Sequence, residues 1–157
     1  VTPSLPRRLA CMLYESMLLF GIAFGAGLVF SIAGQMRSGM DPLRPYLFAL
    51  VAVIFGLYFG WCWSKGQTLA MRSWKIRVVD RSGRAPDLWR ALLRYVCSWI
   101  WVLPPLAFVA PLKLSTTGIA TALLGWIAVW ALLSYAHPQR QFWHDAVAGT
   151  RLINSES

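Results

Sequence analysis

The chain has 157 residues, of which 57 % are hydrophobic, 14 % aromatic and only 13 % charged, with a formal net charge of +9. That balance excludes an ordinary soluble domain of this length and places the chain in the membrane class. The basic residues fall between apolar runs and not on a polar domain, so they read as membrane topology and argue against nucleic acid as a partner.

Val1 to Pro6 carries two prolines and no periodicity, so it reads as a short lead-in; it has no initiator Met, and further residues are expected upstream. Leu9 to Ala33 is a membrane-length apolar run with Arg7 and Arg8 just outside it and Glu15 as its one carboxyl. At ~1.5 Å per residue, Glu15 sits about 9 Å inside the helix start. A signal peptide would also start with basic residues, but this run is longer than an ordinary signal core and an acid interrupts it. Gly21 and Gly25, with Gly27 and Ser31, provide small positions for close helix approach.

Gly34 to Pro45 is a turn-forming loop, and 46–63 is the second span, with Gly56 and Gly60 spaced to pack on the first. The basic linker 64–94 follows. Within it, Trp74 to Val78 alternates apolar and basic residues as a short strand does, and Asp80 to Gly83 reads as a turn. Pro86 to Arg94 reads as an interfacial helix feeding the third span. That span, 95–112, is expected to be kinked, partly unwound or re-entrant, because Pro104 and Pro105 fall in its middle. The fourth span is 119–136. In the tail 137–157, Gln139 to Thr150 reads as a second interfacial helix ended by Gly149. The expected fold is therefore an all-α integral membrane protein of about four transmembrane helices, with a short strand and turn and interfacial helices.

Four spans put both termini and the linker on one side, together with every basic residue except Arg37, Arg44 and Lys113. By the positive-inside rule that side is cytoplasmic. Cys11, Cys62 and Cys97 then lie at the cytoplasmic ends of spans, where they read as small reduced hydrophobes.

Glu15 has no basic residue one turn away on its own helix, where Cys11, Met12, Leu18 and Leu19 stand. Arg72, Arg94 and Arg140 are the candidate partners from other segments, with Arg8 capping the mouth. Two readings stay open for Glu15: a carboxylate that binds a proton or cation, or a structural ion pair that fixes helix positions. His144-Asp145 lacks the further ligands or nucleophile of a catalytic or metal site. Asp145 is expected to pair with a neighbouring arginine and His144 to be solvated.

Three blocks resemble the RDD family of small, mostly bacterial multi-pass membrane proteins. Arg7-Arg8-Leu9-Ala10 with an acid seven residues after Arg8 looks like the family's first helix. Gly66 to Asp80, followed by Gly83 and Pro86, is similar to its central linker, and His144 to Thr150 to its C-terminal block. The resemblance implies one membrane domain over residues 1–157, with Arg8 as the signature arginine, Glu15 at the first aspartate position and Asp145 as the second aspartate. Glu15 departs from the family pattern by one methylene. The family has no generally established activity; transport of unknown ligands is suggested for it, sodium or proton exchange is attributed to some members, and a related eukaryotic domain serves as an adaptor.

The resulting expectation is a bacterial inner-membrane protein, not an enzyme and without a cofactor or metal, whose polar cluster comprises Arg8, Glu15, Arg72 and Asp145. It would transport a proton, a small cation or another small ligand. The alternative is a non-transporting adaptor or assembly subunit whose cluster is structural. The bilayer, anionic lipid headgroups and a second copy or another membrane protein are the expected partners.

Overall fold

The computed structural model describes residues 2–38 and 41–155; residues 39 and 40 of the first loop lie outside this range. Four helical stretches are long and apolar enough to cross a membrane: Leu5–Ala33, Arg44–Ser64, Leu88–Leu112 and Thr116–Ala136. Their middles are not packed as a water-soluble bundle. Phe24 is 65 % exposed and Phe108 78 % exposed, which is costly in water and favourable against lipid. This is a mostly helical, four-span membrane protein.

The first span, α1 (Leu5–Ala33), begins inside the expected lead-in because Pro6 fits the first turn of a helix. Its buried residues are Arg8, Cys11 and Glu15, a stripe at spacings of three and four. The second span is α2 (Arg44–Ser64), whose buried residues Gly56, Gly60 and Trp63 crowd its far end. The short helix α3 (Leu69–Ser73) follows. Thr68 caps it, accepting a hydrogen bond from the Met71 amide at 3.1 Å.

Strand β1 (Ile76–Asp80) lies two residues later than the alternation suggested, because Lys75 takes a left-handed φ of 53° and delays the extended run. Asp80 then accepts from the Ser82 and Arg84 amides and the Ser82 hydroxyl, closing the expected turn. Asp87 caps α4 (Leu88–Ser98) by accepting from the Arg90 amide at 3.1 Å. No break separates Arg94 from Tyr95, so the expected interfacial helix and the start of the third span are one element, and the linker is shorter than 64–94. The span is instead broken by a 3₁₀ turn at Trp99–Trp101, before α5 (Leu103–Val109). Pro104 and Pro105 have no amide hydrogen to bond back across that break.

Ser115 caps α6 (Thr116–Leu133), which a 3₁₀ turn extends to Ala136. The tail departs most from expectation. Only Trp143–Val147 is helical (α7), and Thr150–Asn154 forms β2. β2 pairs antiparallel with β1, Ile76 opposite Asn154 and Asp80 opposite Thr150. Gly149 permits the change from helix to strand with a φ of +68°.

The hydrophobic core gathers at one end of the spans, where Cys11, Trp63, Ala70, Ile76, Ala91 and Phe142 are among the buried residues. The linker and tail thus close over the helix ends. α2 packs chiefly on α4 and not through its glycines on α1. A Cβ on Gly56 would lie 3.2 Å from the Tyr95 ring, and one on Gly60 would lie 3.0 Å from Leu92. The Tyr95 hydroxyl also donates to the Ala52 carbonyl at 2.7 Å. Gly21, Gly25 and Gly27 of α1 face open space, so the expected glycine-to-glycine hairpin does not form.

Candidate functional site

Glu15 stands on the buried stripe of α1 and is 7 % exposed. Its Oε1 accepts from the Tyr58 hydroxyl of α2 at 2.7 Å, and its Oε2 accepts from the Thr68 hydroxyl. Thr68 therefore has two tasks: its oxygen caps α3 while its proton goes to Glu15. No arginine or lysine forms an ion pair with Glu15 among the described residues.

The expected partners lie elsewhere. Arg72 is exposed, because α3 buries Ala70 and Met71 and the next position turns outward. Arg140 is also exposed, with its guanidinium 5.9 Å from the centre of the Tyr135 ring. Arg94 is buried, but it serves Asp145. These assignments correct the expectation of a basic partner for Glu15 and of Arg72 within the cluster.

Asp145 is fully buried on α7. Its Oδ1 lies 2.7 Å from Arg94 Nε and 3.1 Å from His144 Nε2. The expected arginine partner of Asp145 is thus Arg94. Burial pushes the Asp145 carboxyl up, but the charge of Arg94 and the contact with His144 outweigh it and hold the group well below the usual carboxylate range. His144 is buried and not solvated. Its Nδ1 accepts from the Trp101 indole at 2.8 Å, which leaves the ring proton on Nε2 for Asp145. The ring is also stacked on Phe142, centroids 5.6 Å apart.

Arg8 is 2 % exposed, its guanidinium 4.3 Å from the centre of the Phe142 ring and within electrostatic reach of Asp145. Arg94 lies similarly over Trp63, at 4.0 Å. The two guanidinium groups therefore rest on aromatic faces, which stabilises a cation where water is excluded. Cys11, between Arg8 and Glu15 on the stripe, is within electrostatic reach of both Glu15 and Arg94. The structure so brings Arg8, Arg94, His144 and Asp145 together under the tail, and sets Glu15 beside them with its own hydroxyl partners.

The model of the RDD family matches residues 2–149. The chain belongs to the RDD family. Comparison with curated proteins gives no match, and comparison with solved structures gives none. In this RDD protein one carboxylate, that of Glu15, reaches both Tyr58 on α2 and Thr68 at the start of α3.

Tyr58, Thr68, Trp63, Trp101 and Phe142 join the site without a sequence motif that marks them. Tyr58 offered one signal, as a hydroxyl within an apolar span that needs a buried partner. Thr68, one residue before a short helix, offered the pattern of a cap but none of a contact with Glu15. No group of three or more His, Cys, Asp or Glu side chains suited to a metal occurs among the described residues.

Proposed function

We propose that this RDD protein is a multi-pass protein of the bacterial inner membrane in which Glu15 binds a proton, a small cation or another small ligand as a step in transport. The observation that supports this reading is a buried carboxylate on a membrane-spanning helix held by two hydroxyl groups, with no cationic partner among the described residues. An arginine or lysine beside it would hold the carboxylate ionised and compete with a bound proton or cation for its charge, whereas two hydroxyl groups do not. Hydroxyl groups do one thing that a guanidinium does not. Besides donating to the carboxylate when it is empty, they can turn oxygen lone pairs toward a cation that it binds.

Both termini lie on the cytoplasmic side in this reading, because the linker and tail carry most of the basic residues. The Arg8, Arg94 and Asp145 cluster then anchors the tail beneath Glu15 and fixes the protein side of its approach. The reading includes no enzymatic step, since His144 commits both ring nitrogens to Trp101 and Asp145.

Flux in proteoliposomes tests the reading. The wild type should carry an ion gradient into a pH or cation change, and Glu15→Gln should abolish it while eluting as the same folded species. Equal flux in the two proteins would remove transport from Glu15. The open glycine face of α1 favours a second reading, a non-transporting adaptor that docks a membrane partner there. Purification in mild detergent should then recover a stoichiometric partner that is lost on Gly25→Leu.

A further inference from the structure

A second polar site lies where the segment before α7 meets the two-stranded sheet and the turn after β1. A pocket of about 440 Å³ opens there, and its lining includes Arg81, Arg151, His137, Gln139, Gly149 and Thr150. No carboxylate lines it among the described residues. Arg81 follows β1 and lies over Gly149, where a Cβ would come 3.8 Å from its Nε. Arg151 stands on β2 opposite Val79, and its Nε is buried without a hydrogen-bond partner.

Neither arginine forms an ion pair among the described residues. The acids nearest in the fold are already engaged: Asp80 by Ser82 and Arg84, and Asp145 by Arg94. His137 adds a ring N–H donor. Its Nδ1 accepts from the Gln139 amide at 3.2 Å, so its ring proton is on Nε2. Two arginines that form no ion pair and a histidine thus line a pocket with no carboxylate among the described residues.

We infer that this pocket binds a phosphate-bearing anion, with Arg81 and Arg151 as its charged ligands. Planar guanidinium groups suit the paired oxygens of a phosphate, and a single phosphate answers both. His137 directly follows the 3₁₀ extension of the last span, so the pocket is at the level where a bilayer presents its headgroups. An anionic lipid headgroup and a free phosphate share this chemistry.

The test uses the full chain in nanodiscs. In phosphatidylcholine nanodiscs, inorganic phosphate is titrated and followed by phosphorus NMR. In parallel, native mass spectrometry counts phosphatidylglycerol retained from mixed nanodiscs. Arg81→Gln removes a side chain that is exposed and forms no ion pair, and should leave the melting temperature unchanged. It and Arg151→Gln should each weaken binding at least tenfold, whereas Arg84→Gln, outside the pocket, should not. Loss in the phosphate titration identifies a soluble ligand, and loss confined to phosphatidylglycerol retention identifies a headgroup. Absence of both in the wild type, wild-type binding by folded Arg81→Gln, or an equal loss in Arg84→Gln overturns the inference.

Discussion

Arg94 Nε donates to Asp145 Oδ1 at 2.7 Å, and both side chains are almost completely shielded from water. The bond joins the third span to the tail. Removing one partner leaves the other charge buried, so Asp145→Asn should destabilise the protein by about 3–5 kcal/mol. Arg94→Leu with Asp145→Leu should cost less than either single change would suggest by addition. Thermal unfolding of the two singles and the double in detergent checks this.

The same carboxyl sets an acid limit on stability. Unfolded, it titrates near pH 4, as an ordinary aspartate does; folded, it is held well below that value. Its contribution is therefore fully present above about pH 4 and is lost as the pH falls toward the folded value. Melting temperature should decline over that acid range in the wild type. Asp145→Asn should start lower and lack this part of the decline.

Glycines of the first two spans should respond in opposite ways. Gly60→Val forces a side chain against Leu92 and Leu88 of α4 and should destabilise by about 1–3 kcal/mol. Gly21→Ala and Gly25→Ala meet open space and should be neutral or stabilise by roughly 0.5–1 kcal/mol. Melting curves of the three variants separate the two faces.

The spans were legible in the sequence because hydropathy is a local property. Glu15 and Asp145 stood out because charges are scarce within or beside apolar runs. Their partners did not, since Thr68 is 53 residues from Glu15 and Arg94 is 51 from Asp145, and no local pattern encodes such contacts. Tyr58 was hidden because a tyrosine near a span end also reads as an interfacial anchor. The missed strand β2 has the same cause. Thr150 to Asn154 is too short to declare itself as a strand without β1 beside it. The charge of Arg72 suits Glu15, but the packing of Ala70 and Met71 decides which way α3 faces and turns Arg72 outward.

Topology has its own test. Cys11 is buried, and Cys62 and Cys97 are half-buried. With the termini in the cytoplasm, a membrane-impermeant thiol reagent applied to intact cells should label none of them. It should label Cys62 or Cys97 in inverted vesicles. Labelling from outside would reverse the orientation.

The most direct measurement is infrared difference spectroscopy of Glu15 in the lipid-reconstituted protein during a pH titration, with Glu15→Gln as the reference and Tyr58→Phe as the perturbation. If Glu15 exchanges a proton with its aqueous approach, the wild type should show a titrating carboxyl band that is absent from Glu15→Gln and shifted in frequency in Tyr58→Phe. Identical titrating bands in the wild type and Glu15→Gln, over the whole range in which both stay folded, would contradict proton binding at Glu15.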